Sequence, residues 1–197
     1  MSSSGLAEPR SLPPGQRQET ALRTVHYGSV PRIDLATWSL RIGGDTLEGE
    51  TLSLTWAEFT SLPQTVVRAD HHCVSRYTTL DLSWSGVAAR TVIEMAPPAD
   101  GVEHVMVSAA RGYSTSIRLE DLASSRAVFA THLGGVPLTP EHGWPARLVL
   151  PHLYGWKGPK WVGAIDYQRY PERGFWEQRG YHFTGDVWRE ERYAYQE

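Results

Sequence analysis

The chain has 197 residues, a formal net charge of −3, 41% hydrophobic and 21% charged residues, and one cysteine. That length suits one domain with a sizeable core. The balance lacks the basic excess expected of a nucleic-acid binder, the apolar run of roughly 20 residues needed for a membrane helix, and the cysteines for a disulfide or a cysteine-rich zinc site.

Residues 1–22 are rich in Ser, Pro, Gly and Gln and read as a flexible tail ahead of a domain spanning 23–197. They show neither a secretory apolar stretch nor an Arg-Arg pair, so a cytoplasmic location is expected. Residues 38–42 alternate as a strand, and Gly43-Gly44 reads as a turn. Thr55 and Glu58 form a capping-box pattern that predicts a short helix over 56–62, stopped by Pro63. Residues 65–70 read as a strand leading into His71-His72-Cys73. A helix follows over 89–95, ended by Pro97-Pro98. Strands are expected at 104–110 and 114–119, with a helical turn at 119–124. Three more follow at 127–133, 146–150 and 161–167. Strands outnumber short helices and do not alternate with long ones, so the fold class is α+β: one mixed, strand-rich domain. Eight Trp and nine Tyr are many for this length; they can line a cleft but also fill cores and interfaces.

Three stretches carry chemistry. In Asp70-His71-His72-Cys73-Val74-Ser75-Arg76 a soft ligand follows a buried strand, and Arg76 can lower the thiol pKa or attract an anion. Alone, Cys73 reads at least as readily as a buried structural thiol. A zinc site would need distant ligands such as His104 or His132, and a Cys-His nucleophile pair has no local signature. The second stretch, His142-Gly-Trp-Pro-Ala-Arg147-Leu-Val-Leu-Pro151, starts a buried strand with a cation. The third, Tyr154-Gly-Trp-Lys157-Gly158-Pro159-Lys160-Trp161, is a glycine-containing loop with two lysines. Together they suit an anion, through an arginine fork, point charges and exposed backbone N–H groups. A surface hairpin with solvated lysines is the plain alternative.

In this order the three stretches resemble the molybdopterin-binding domain of the sulfite oxidase family, which includes sulfite oxidases, plant-type nitrate reductases and bacterial methionine-sulfoxide-reducing subunits. "GYSTSIRLEDL", "GVPLTPEHG", the opening "HYGSVPRIDLATWSLRIGG" and the closing "GFWEQRGYHFTGDVWREERY" fit the same series, so the likeness runs from about His26 to Tyr193. The resemblance implies a molybdenum–molybdopterin cofactor with Cys73 as the metal ligand. It places His142, Arg147, Gly158, Pro159 and Lys160, with Lys157 beside them, on the pterin and its phosphate. It brings His26, Tyr27 and Ser108 to the cofactor pocket, and Arg76 and Tyr113 to the substrate. Sulfite oxidases carry Arg-Asn-His where Val25-His26-Tyr27 stands here, so one substrate arginine is missing. The implied activity is oxygen-atom transfer to or from a small sulfite- or sulfoxide-like molecule, with electrons passing to a separate carrier. The alternatives are a non-catalytic molybdopterin- or anion-binding module or partner subunit, and a hydrolase or zinc protein using Cys73 and its histidines.

Overall fold

The computed structural model describes residues 11–197; the first ten residues of the expected tail lie outside the described residues. Two sheets enclose the main core. The first is organised around one long strand. β1 (Arg17–Glu19) lies parallel to β5 (Tyr77–Ala88), and β4 (Gln64–Cys73) pairs antiparallel with it along nearly its whole length. β8 (Val128–Leu133) continues the sheet from the C-terminal half of β5, followed by β10 (Arg147–Val149); β9 (Val136–Pro137) pairs with β8. The second sheet runs β3 (Leu52–Thr55), β2 (Ser39–Gly44), β11 (Val162–Gln168), β6 (His104–Ala109), β7 (Ser114–Arg118), with β2 and β11 parallel.

The helices are short: α1 (Trp56–Ser61), α2 (Ala89–Met95) and α3 (Leu119–Leu122). The expected capping box holds α1: the Glu58 N–H reaches Thr55 Oγ1 at 3.3 Å, and the Thr55 N–H donates to Glu58 Oε2 at 2.8 Å. Leu40, Ile42, Val105, Val107 and Ile165 from the second sheet bury against Val87, Phe129 and Leu148 from the first, with Phe59 of α1 and Val92 of α2 closing the core. Among the described residues, no helix is long and apolar enough to cross a membrane.

Three expectations need correction. Gly43-Gly44 is not a turn but the end of β2, because Gly44 still pairs with Tyr167 of β11. A Cβ on Gly44 would stand 2.3 Å from the Tyr167 carbonyl oxygen, so the close pairing needs glycine there. The central strand β5 was not expected at all. The segment taken as a tail is structured from before residue 23: β1 bonds to β5, and the Gln16 amide donates to the Cys73 carbonyl at 3.1 Å.

Candidate functional site

Cys73 is the last residue of β4 and opens the tight turn Val74-Ser75-Arg76 into β5. The Arg76 N–H returns to the Cys73 carbonyl at 3.1 Å, and Arg76 takes the left-handed φ of 71° that closes such a three-residue hairpin loop. A register shift between Ala69 and His71 re-aims the end of β4. Side chains two apart in a strand share a face. His71 and Cys73 therefore both look into a cavity of about 420 Å3, while His72 turns the other way and its Nδ1 lies 2.8 Å from Thr78 Oγ1.

The cavity is closed by segments far apart in sequence. Residues 22–27 cross one side, the β6–β7 turn with Ala110 and Arg111 another, and the loop 155–161 forms the floor with Arg147 at the start of β10. Phe175, Trp176 and Tyr181 supply the remaining wall. Their rings form a continuous aromatic network: Tyr27 to Phe175 at 4.8 Å, Phe175 to Trp176 at 5.2 Å, Trp176 to Tyr181 at 5.0 Å and Trp156 to Tyr181 at 5.0 Å.

One region of the cavity holds a thiol. Cys73 Sγ lies 3.0 Å from Ser75 Oγ. Burial first, and then the nearby Cys73 sulfur, push the Tyr77 hydroxyl well up, so it stays protonated. Another region is cationic. Arg147 is 3% exposed. One guanidinium nitrogen donates to the His142 carbonyl at 3.2 Å, and its buried Nε has no partner among the described residues. The Lys160 ammonium donates to two carbonyls, Val25 at 2.8 Å and Glu141 at 2.6 Å, and lies 5.7 Å from the centre of the Trp161 ring; among the described residues it has no hydrogen bond to a carboxylate. Burial lowers Arg147 to about 10; burial first, and then the like charge of Arg147, lower Lys160 to about 7. Burial, and after it the Arg147 charge, hold His71 well below the ordinary histidine range. Cations desolvated together with an unpartnered guanidinium nitrogen are a poor arrangement unless an anion joins them. The glycines bring backbone close as well: a Cβ on Gly158 would meet the Leu148 carbonyl oxygen at 2.5 Å.

Eight of the expected site residues line this cavity: His26, Tyr27, Cys73, Tyr113, Arg147, Gly158, Pro159 and Lys160. Four stand apart. Arg76 is exposed and pairs with Glu190 at 3.4 Å. The Lys157 ammonium is buried on Glu177 at 2.8 Å. Ser108 sits within β6, opposite Ala164 and Ser114. His142 flanks the cationic end, its ring 3.1 Å from Thr139 Oγ1 and its carbonyl on Arg147. The Tyr113 hydroxyl lines the cavity yet donates to the Trp156 carbonyl. Sequence reasoning passed over Tyr77 and Arg111; it weighed His71 only as a zinc or hydrolase residue beside Cys73, and the late aromatics as lining a cleft or filling cores and interfaces. For His71 the signal was present, because it lies two positions from Cys73 on one strand.

Residues 27–176 match the family described as "oxidoreductase molybdopterin binding domain". The chain belongs to that family. Among relatives of this molybdopterin-binding domain, the Bacillus subtilis (strain 168) protein called "uncharacterized oxidoreductase YuiH" is 35% identical, across 93% of this chain and 92% of that one. The "putative protein-methionine-sulfoxide reductase subunit YedZ1" of Azospira oryzae is 26% identical over 91% of this chain and 70% of its own length. The sulfane dehydrogenase SoxCD of Paracoccus pantotrophus shares the fold at a TM-score of 0.68 and 21% identity, over 74% of this chain; the match spans 42% of the SoxCD chain. The molybdopterin-binding oxidoreductase domain is therefore a single strand-rich domain of the sulfite oxidase type, and its cofactor class is molybdopterin. The residues present fit that group: a buried, unbalanced cationic end for a phosphate and a thiol in the same cavity.

Proposed function

We propose that this domain is a molybdenum-dependent oxidoreductase in which the Cys73 thiolate ligates the metal and a small sulfite- or sulfoxide-like molecule is the substrate. The observation that carries it is the pairing, in one cavity, of Cys73 with the anion-starved Arg147 and Lys160. When bound, the cofactor supplies two-electron oxygen-atom transfer chemistry. Arg147 and Lys160 would hold the phosphate by charge, and Gly158 and Pro159 would offer backbone at close range. Cys73 would give up its proton on ligation, as metal-bound thiols do. The half-buried rings of Phe175, Trp176 and Tyr181 would cover one side of the reacting region, while Tyr27 stays 59% exposed. Electrons would leave for a separate carrier.

Two side chains expected at the substrate have other partners in this structure. Arg76 is held outward by Glu190, and the one Tyr113 proton goes to Trp156. Arg111, on the β6–β7 turn with φ 64°, is an arginine that does line the cavity. The outward Arg76 favours a second reading, a cofactor-binding module or partner subunit that turns nothing over.

Molybdenum and pterin content of wild type and Cys73→Ala, both from a molybdenum-replete host, tests the first reading. Stoichiometric molybdenum and pterin in wild type, with molybdenum lost in Cys73→Ala, is expected. Zinc, or neither metal nor pterin, in wild type would sink it. Reduction of the loaded protein by sulfite, or its reoxidation by a sulfoxide, separates enzyme from binding module.

A further inference from the structure

Lys157 falls in the loop expected to cradle the phosphate, yet its ammonium is fully engaged elsewhere. Its three protons face three acceptors: Glu177 Oε1 at 2.8 Å, the Phe183 carbonyl at 2.6 Å and the Ser116 carbonyl. Glu177 Oε1 also accepts from the Thr115 hydroxyl at 2.5 Å and from the Ser116 N–H at 3.1 Å. The two side chains are 1% and 0% exposed. One ion pair thus ties together the loop under the cavity, strand β7 and the segment after residue 168.

The residues around Glu177 in that segment are the ring wall: Phe175, Trp176 and Tyr181. Apolar side chains of similar volume would fill the same space at comparable stability. What the charges add is register. If the segment slips by one residue, both charges are left buried without a partner, so only one placement of the wall is tolerated. Lys157 is next to Gly158, whose backbone lies against Leu148 in β10. The wall segment and the loop are thus joined through one buried ion pair.

We infer that Lys157 and Glu177 are positioning residues that latch the aromatic segment onto the 158–160 loop, so that docking of the segment and binding of the cofactor stabilise each other. The inference rests on the reading that this cavity holds the molybdopterin. Such coupling is reciprocal: cofactor protects the segment, and loosening the segment weakens cofactor retention.

Glu177→Gln tests it, because the amide keeps an oxygen for Thr115 and Ser116 but removes the charge facing Lys157. Val92→Ala, a truncation in the main core, controls for general destabilisation. Each protein is made in a host that supplies the pterin and in one that cannot. Trypsin cleavage after Arg173 and Arg179 is timed by mass spectrometry, and released pterin is quantified by fluorescence. In wild type, cofactor is expected to slow this cleavage about tenfold, a modest coupling on the usual scale. In Glu177→Gln the cofactor-free segment is expected to be cut about tenfold faster than in wild type, with pterin content down about fivefold, since a buried charge has lost its partner. Val92→Ala should leave both near wild type. Undiminished pterin and cofactor protection in Glu177→Gln would overturn the latch. If Glu177→Gln fails to fold, the double variant Lys157→Met/Glu177→Met fills the space without charge and is read the same way: wild-type pterin content there also overturns the latch. Wild type without pterin, by contrast, overturns the reading of the cavity and the coupling with it.

Discussion

The Arg147 guanidinium lies 5.1 Å from the centre of the Trp84 ring, and both side chains are buried. The ring face attracts the cation by about 2 kcal/mol or more at a desolvated site, which offsets only part of the several kcal/mol it costs to desolvate the charge. In the cofactor-free protein Arg147 is therefore a liability kept for a ligand. Arg147→Met should raise the melting temperature of cofactor-free protein by about 2–8 °C, the equivalent of about 1–2 kcal/mol in a domain this size. The same variant should lose nearly all bound pterin. Calorimetry and pterin analysis on one preparation check both halves. A fall in melting temperature would mean that Arg147 already has its counter-charge.

Lys160 predicts a pH dependence. Its pKa in the folded state is lowered to about 7, by burial first and then by Arg147, whereas the unfolded chain keeps an ordinary lysine near 10.4. Between those values the unfolded state binds more protons, so stability rises with pH. Below about pH 7 the penalty is present in full; it is relieved as the pH climbs. His142 and His71 are lowered too, each by burial first, and act with the same sign in a more acid window. Thermal melts of cofactor-free protein between pH ~6 and ~9 should climb, and Lys160→Met should flatten the alkaline part of the slope.

Gly158→Ala adds a methyl group 2.5 Å from the Leu148 carbonyl oxygen, where nothing flexible can give way. The loop must lift from β10, at a cost of about 1–3 kcal/mol. Because Leu148 N–H donates to the Pro159 carbonyl at 2.9 Å, the lift also strains that bond. The protein should still fold, with pterin content reduced several-fold. Circular dichroism together with pterin release distinguishes that outcome from unfolding.

The Tyr113 hydroxyl donates to the Trp156 carbonyl, and burial pushes its pKa well above the ordinary tyrosine value. Tyr113→Phe should therefore behave mainly as a stability variant, costing about 1 kcal/mol. Turnover by the loaded protein should change by less than about threefold if this bond persists during reaction. A loss of about a hundredfold, the size of a general-acid contribution, would return Tyr113 to the chemistry.

How much of this was legible beforehand depended on the range of the interactions. The Thr55–Glu58 cap and the ends of α2 are local, and the sequence reading matched them. Strand β5 was missed although Leu80-Asp81-Leu82-Ser83-Trp84-Ser85 alternates as a strand does; only its buried start, Thr78 and Thr79, lacks an apolar signal. Gly86 in the same strand reads as a breaker, yet it is there because the Phe129 carbonyl oxygen would lie 2.1 Å from a Cβ. The cavity residues on β10 and the glycine loop were legible as a cation followed by close-approach backbone. Lys157 was grouped with them because a lysine in such a loop gives no local sign of whether it faces an anion or a buried carboxylate 20 positions on. Arg76 was misjudged for the same reason: its partner Glu190 lies 114 positions away.

The cavity borrows its walls from Leu22 at one extreme and Tyr181 at the other. No shorter nascent chain contains it. While the chain is being synthesised, the compartment lacks one wall until residue 181 has emerged. Loading of the cofactor is thus ordered in time by the topology. The compartment is completed only after translation has passed Tyr181.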